Sequence, residues 1–470
     1  MGKNKLLGYA LGPLGSALLG FISLPIVTKF YSVEDVGRVS LLHVVSSLMV
    51  LLFCLGLDQA YVREYHESDN KFRLFKSVTL PGLLLMFLSL LAVYSFDGNV
   101  IANWVYSIED SALSLLTIIC FLSAFLSRFL SLILRMQERS FAYSMSQVLP
   151  KLFFIFFIFL SYFFLELLDF KVLLSAHMLS IISVLLIYTW NTRFELKGAL
   201  NEKINKEELI SLSYFGFPLV FAGLAFWGMK VIDVFFLRWL AGFTDLGVYS
   251  VTLSIAGGAA LVGSIFNIVW APLVYKWQSE NRVDFTKIDN VLEHLLAAVY
   301  FLVVFSGCFA WILMYLLDGK SYAAVQYLLS ICILAPLLYT LSEVTGVGIQ
   351  IVKKTKLSMY ASIFALIINA MGNYFLIPNL GAAGAAISTA LSFLVFFILR
   401  TEFSNKVWRK RGYGKVYLVL FFLLILTASN AFFGAELPSS IWWACIIIGF
   451  VVFKESITEA ARFVLKNRAI

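Results

Sequence analysis

Apolar runs of about twenty residues, separated by short charged or glycine-rich breaks, repeat along nearly the whole chain. The pattern predicts helices near 6–28, 39–62, 77–96, 111–134, 141–165 and 172–190. A polar stretch at 191–210 follows. Apolar runs resume at 211–240, 247–275, 290–317, 322–352, 357–376 and 382–399, and two more at 416–435 and 438–453 close the series. Each run matches the ~20 apolar residues that an α-helix needs to cross a bilayer. The expectation is therefore an all-α polytopic membrane protein with about 14 transmembrane helices. Fourteen such spans would use about 280 positions, which leaves no room for a sizeable soluble catalytic domain.

Composition sharpens this picture. Of 470 residues, 61% are hydrophobic and 14% charged, against roughly 25% charged in soluble proteins. The run from Leu6 to Thr28 is too long for a signal-peptide core, so it reads as a retained first span. The formal charge of +8 takes its meaning from topology. With the N-terminus in the cytoplasm, 28 of the 36 Lys and Arg fall in cytoplasmic segments, five on the opposite side and three within spans, as the positive-inside rule requires. Both termini are then cytoplasmic. No segment concentrates the positives, so nucleic-acid binding is not indicated. The five cysteines lie in apolar runs without paired spacing, and neither disulfides nor a metal site is expected.

The two halves of the chain resemble one another. Asp35-Val-Gly37 returns 210 residues later as Asp245-Leu-Gly247, and prolines stand early in the first helix of each half, at Pro13 and Pro218. Six helices separate the copies, an even number, so the repeats would be parallel. This predicts a six-helix lobe over 1–190, a cytoplasmic linker over 191–210 and a second lobe over 211–400. Residues 401–470 would form a basic loop, two further helices and a tail. The two lobes would enclose a central cleft.

Six ionisable residues fall within spans: Asp58, Arg128, Lys151, Lys230, Asp233 and Glu343. Each would cost ~3 kcal/mol facing lipid near a helix centre, so they are expected to face one another or water. Arg128 shares a face with Ser131 and Arg135 and either snorkels or points into the cleft. Lys151 lies near mid-bilayer, follows Pro150 and continues a polar stripe through Ser144 and Gln147. Lys230 and Asp233, three apart, either neutralise each other or leave the lysine to meet a ligand. Asp58 reads as a gate or local ion pair. Glu343, among Thr340, Ser342, Thr345, Gly346 and Gly348, reads either as a protonatable or cation-binding carboxylate or as a counter-ion to one of the three cations. Asn369 and Asn373 either line the cleft or bond between helices. His43, His177 and His294 show no ligand spacing, and Gly381–Ser388 lacks the Lys-Ser/Thr of a phosphate-binding loop.

The opening helix with Pro13 and Pro25, the two Asp-x-Gly turns, Gly56-Leu-Asp58-Gln-Ala-Tyr-Val-Arg63-Glu-Tyr65 and Asn379-Leu-Gly381-Ala-Ala-Gly384 carry a resemblance across essentially the whole chain. The chain resembles polysaccharide flippases of the Wzx type, within the multidrug/oligosaccharidyl-lipid/polysaccharide exporter superfamily. That resemblance implies transfer of undecaprenyl-diphosphate-linked oligosaccharide units from the cytoplasmic to the periplasmic leaflet of the bacterial inner membrane by alternating access, for surface polysaccharide such as O-antigen or capsule. It implies a cationic lumen, a polysaccharide polymerase and a chain-length regulator as partners, and no catalytic cofactor. Arg128, Lys151 and Lys230 are the expected diphosphate contacts, since a dense anion crossing an apolar layer needs bases in place of water. Coupling to H+, Na+ or the membrane potential would run through Asp58, Asp233 or Glu343. The rival readings are a multidrug or cation extruder or a lipid II flippase of the same superfamily, and a membrane-embedded polymerase.

Overall fold

A computed structural model describes residues 3–164, 169–280, 284–317, 321–354 and 356–459, together with 282 and 319. Side chains of 3–10, 218, 222, 225, 226, 229, 230, 262, 264, 265, 267–269, 271, 272 and 279 lie outside that description. The described residues are helical, without strands. They form two compact units, Met1–Val231 and Ile232–Ile470.

The first unit begins with α1 (Lys3–Phe30), α2 (Val33–Phe53), the short α3 (Leu57–Glu64) and α4 (Lys71–Phe96). It continues through the short α5 (Val100–Tyr106), α6 (Ser111–Met136), α7 (Ser140–Phe164), α8 (Phe170–Asn191), the short α9 (Arg193–Asn201) and the first part of α10 (Lys206–Leu240). Polar side chains at the breaks start these helices. Ser32 accepts from the Asp35 amide at the head of α2, Asn70 from two amides of α4, Asp110 from two of α6 and Asp169 from one of α8, each satisfying donors that a first turn leaves unpaired. Asp110 also bonds Lys171 at 2.5 Å, and that hydrogen bond, with the Leu113 and Ala112 amides, holds its carboxyl below the usual carboxylate range. The hub is α6, packed by α2, α4, α7 and α8. Its core side is lined by Phe121, Phe125 and Phe129, all nearly inaccessible. Leu84, Leu85, Phe87, Leu88 and Leu91 of α4 are exposed, as side chains facing hydrocarbon must be.

The second unit holds the rest of α10, then α11 (Phe243–Ser279), α12 (Phe285–Phe309) with a short 3₁₀ turn and α13 (Leu313–Leu316), α14 (Val325–Thr345), α15 (Val347–Ile351), α16 (Lys356–Leu380), α17 (Ala382–Val407), α18 (Gly414–Phe433) and α19 (Ser440–Val452). Its hub is α14, enclosed by α11, α12, α17 and α18. Small residues let α16 and α17 pack closely, with Gly372 against Ser388 and Gly384 against the Leu376 backbone. Among the described residues eleven helices are long and apolar enough to cross a membrane. The helices α10 and α11, at 35 and 37 residues, also have the length. The 13 residues of α19 rise only about 20 Å, short of a bilayer core of ~30 Å.

Three predicted elements differ from what the structure contains. The run at 39–62 is not one helix: it breaks at Leu55 and Gly56, both in left-handed conformation (φ 52° and 71°). The run at 322–352 breaks at Gly346. The linker at 191–210 contains α9. The residues at the two breaks are themselves apolar or small, so hydropathy alone passes over them, and the helix in the linker is too polar to register as an apolar run.

Candidate functional site

The break after α2 builds the first cluster. Leu55 and Gly56 turn the chain so that α3 starts with Asp58 in its first turn. Glycine is required at 56 by its positive φ and because a methyl there would overlap the Gly216 carbonyl of α10. The turn brings Asp58 to Arg128 of α6, whose Nη2 and Nε donate to one carboxylate oxygen at 2.7 and 3.3 Å. The ion pair is not sealed. Asp58 and Arg128 line a cavity of about 780 Å³ inside the first unit, walled by Ser47 and Leu51 of α2 and by Gly223 and Trp227 of α10. The Trp227 indole donates to Ser47 at 2.8 Å. Arg128 thus faces a void, with a side chain 37% exposed against 13% for Asp58. The polar face it shares with Ser131 and Arg135 does not continue the site. Ser131 turns its hydroxyl back onto the Arg128 carbonyl at 2.7 Å, and Arg135 is exposed.

Lys151 occupies α7 directly after Pro150 and is half-buried. Among the described residues it has no carboxylate partner. Its electrostatic neighbours are His43 of α2 and His177 of α8, whose rings meet edge-on with centroids 4.5 Å apart. Sequence spacing gave no sign of this pair, because the two histidines are 134 positions apart and only the packing of α2 and α8 joins them. Ser144, one stripe position above Gln147, is buried against Gly12 of α1, while Gln147 is half-buried.

In the second unit Asp233 is 3% exposed. It accepts from the Tyr249 hydroxyl at 2.7 Å, the Asn373 amide at 2.6 Å and the Thr389 hydroxyl at 2.5 Å. Asn369 bonds both Thr389 and Asn373, at 3.1 Å each. The structure therefore joins Asp233, Asn369 and Asn373, which sequence reasoning treated separately, and adds Tyr249 and Thr389. Tyr249 had a signal, standing two residues after the repeated Asp245-Leu-Gly247 turn; Thr389 had none. The Lys230 side chain, proposed to pair with Asp233 or to meet a ligand, lies outside the described residues. Asn373 Oδ1 is buried without a hydrogen-bond partner among the described residues.

Glu343 is a counter-ion, but not to any of the three bases expected. Arg400 of α17, itself only 4% exposed, donates to Glu343 at 2.6 Å and to the Ser342 hydroxyl at 3.0 Å. Gly346 makes room for it, since a methyl there would stand 2.6 Å from Arg400 Nε. Arg400 was missed because it sits just beyond the end of an apolar run, where position alone assigns an arginine to the cytoplasm. The arrangement leaves Glu343 committed, in contrast to Lys151, which has no carboxylate partner among the described residues.

Comparison with known proteins agrees with this architecture. A family model described as polysaccharide biosynthesis protein matches residues 4–278. A probable low-salt glycan biosynthesis flippase, Agl15, of Haloferax volcanii is 24% identical over 193 residues, 40% of this chain and 39% of the relative. A probable multidrug resistance protein, NorM, of Photorhabdus laumondii is 25% identical over 217 residues, 42% of this chain and 47% of the relative. The chain thus aligns with less than half the length of these curated relatives. In fold it is similar to a lipid II flippase, MurJ, solved in an inward closed conformation, with a TM-score of 0.68 at 15% identity over 97% of this chain and 99% of that one. It is also similar to an inward-facing multidrug transporter of the MATE family, with a TM-score of 0.57 at 17% identity over 85% and 94%. A polytopic helical membrane protein whose family model spans more than half its length, this chain belongs to the polysaccharide biosynthesis protein family.

Proposed function

We propose that this protein is a flippase, not an enzyme, and that it moves undecaprenyl-diphosphate-linked oligosaccharide units from the cytoplasmic to the periplasmic leaflet by alternating access, for surface polysaccharide synthesis. The observation that carries the reading is Lys151, an ammonium held half-buried in a span without a carboxylate counter-ion among the described residues. An uncompensated charge in a bilayer is costly, and an arriving anion removes that cost. Arg128 supports it from the neighbouring helix, with N–H donors in reach of the adjoining cavity and a planar fork suited to phosphate oxygens. The diphosphate would exchange water for these donors while the polyprenyl chain stays in lipid. A glycan flippase among the relatives and the lipid II flippase fold support the same class of cargo.

No nucleotide is needed. At a potential of about 100 mV, negative inside, two uncompensated negative charges moving outward gain roughly 4 to 5 kcal/mol. We assign ion coupling, by H+ or Na+, to Asp233 with Asn369, Asn373, Tyr249 and Thr389. Among the described residues Asp233 is met by neutral donors alone, which keeps its charge available to a proton or small cation, whereas Glu343 is already matched by Arg400. The charge asymmetry supports an inner-membrane orientation with cytoplasmic termini.

The test is surface polysaccharide in cells carrying Lys151→Ala or Arg128→Ala. Both variants are expected to insert at normal abundance and to lose polysaccharide. Normal polysaccharide in both would refute the cationic site.

A further inference from the structure

Four helices of the first unit, α4, α6, α8 and α9, bound a crevice of about 530 Å³, within the size range of small-ligand sites. Its walls are apolar, made by Leu80 and Leu83 of α4, Leu126 and Leu130 of α6 and Leu185 of α8. Phe75, Leu130 and Ala199 are buried at its floor, whereas Thr189, Lys197 and Leu200 are exposed at its mouth. The crevice is separate from the Arg128 cavity. Leu126 and Leu130 stand two positions from Ala124 and Arg128, which line that cavity, and at about 3.6 residues per turn a step of two lands on the opposite side of a helix.

The rim is cationic. Lys76, Arg193 and Lys197 line the crevice, and among the described residues no carboxylate does. Lys76 donates to the Leu200 and Glu202 carbonyls at 2.9 and 2.7 Å, which ties the end of α9 to α4. Arg193 stacks over the Trp190 and Phe194 rings, 4.6 and 4.7 Å from their centroids, and donates to the Trp190 carbonyl at 2.8 Å. Trp190, Phe194 and Leu200 are themselves exposed. Exposed aromatic side chains beside bases are the composition of a bilayer–water boundary, and the lysine and arginine distribution puts this end in the cytoplasm. The short helix α9 then lies at headgroup level, with the leucine-lined crevice running inward from it.

A soluble anion would meet the bases and leave the leucine walls without apolar contact. A zwitterionic lipid would fill the walls and leave the positive rim unmatched. An apolar chain carrying an anionic head satisfies both, and the negatively charged cytoplasmic leaflet supplies one. The cargo of the flippase reading has the same two parts, but here it would lie behind α6, cut off from Arg128 and its cavity.

We propose that this crevice binds a membrane phospholipid of net negative charge, such as phosphatidylglycerol, with one acyl chain against the leucines and the phosphate at Arg193 and Lys197. The lipid bridges α9 to the spans α4, α6 and α8. The assignment does not rest on the flippase reading, because the crevice shares no residue with the Arg128 cavity.

The experiment is native mass spectrometry of the full chain, titrated with dioleoylphosphatidylglycerol or dioleoylphosphatidylcholine and read as the affinity of the first lipid adduct. Phosphatidylglycerol is expected to bind more tightly. Its affinity should fall about fivefold in Lys197→Gln and about twenty-five-fold in Arg193→Gln/Lys197→Gln, from the contribution of each base near an anionic headgroup. It should hold in Lys406→Gln/Lys410→Gln, which removes the same charge at the end of α17. Leu83→Trp, which fills the apolar wall, should weaken it without touching a charge. Thermal unfolding checks that the variants are folded, and Lys197→Gln, at an exposed position, carries the test should the loss of Arg193 unsettle α9. Equal affinity for the two lipids, an equal loss in the Lys406/Lys410 variant, or displacement of phosphatidylglycerol by inorganic phosphate would each overturn the proposal. So would binding of farnesyl diphosphate that is lost in Arg193→Gln/Lys197→Gln while phosphatidylglycerol is retained, since the crevice would then take cargo.

Discussion

Asp58→Asn isolates what Arg128 is for. The carboxylate occupies two guanidinium donors, at 2.7 and 3.3 Å on the same oxygen, and in the flippase account it is the group a diphosphate must displace. Asparagine keeps the shape and an acceptor but removes the charge. The pair is asymmetric in exposure, 37% for Arg128 and 13% for Asp58, so solvent screens much of the attraction. Exposed pairs are worth about 0.2–1 kcal/mol, and with one partner mostly buried the upper end applies, about 1 kcal/mol. Releasing Arg128 should then tighten binding of a lipid diphosphate by about fivefold. Isothermal titration of farnesyl diphosphate into the protein in nanodiscs reads this directly, with thermal unfolding recorded on the same sample. Unchanged or weaker affinity in a folded Asp58→Asn protein would show that Arg128 serves the helix contact and not a ligand.

Gly56→Ala adds a methyl at a position of φ 71° that collides with the Gly216 carbonyl. It should destabilise the protein by about 2 kcal/mol or more, read by thermal unfolding, whereas Gly20→Ala, which meets open space, should leave stability nearly unchanged. Arg400→Met strands Glu343 in a site where the two side chains are 5% and 13% exposed. The expected cost is about 3–5 kcal/mol, most of it recovered when Glu343→Gln is added, and additive losses in the double-mutant cycle would refute the pair's coupling. Asp233→Asn should keep the fold through its Tyr249 and Thr389 contacts and remove any dependence of transport on a proton or sodium gradient, measured in proteoliposomes; an unaltered gradient response would exclude Asp233 from coupling.

The spans were legible because one rule, about twenty apolar residues between charges, acts locally. The interruptions were not. Leu55 and Gly346 look like any other residues of an apolar run, and only the backbone conformation and the neighbour that enters the gap distinguish them. The intramembrane charges could be found one by one, since each stands out from its surroundings. Their partners could not, because Asp58 and Arg128 are 70 positions apart, Glu343 and Arg400 are 57 apart, and Asp233 reaches Thr389 across 156. Asn369 and Asn373 were visible as an i, i+4 pair on one helix, yet their common target was not. Arg400 shows the cost of reading topology from counts alone, for at the edge of an apolar run a buried arginine and a solvated one have the same sequence.

The most direct test of the cationic site is translocation of a fluorescent undecaprenyl-diphosphate-linked glycan in proteoliposomes, comparing the wild-type chain with Lys151→Met, which keeps the length and removes the charge. The account predicts movement across the bilayer by the wild type and near-complete loss in the variant at equal protein incorporation. Equal rates in the two would contradict it.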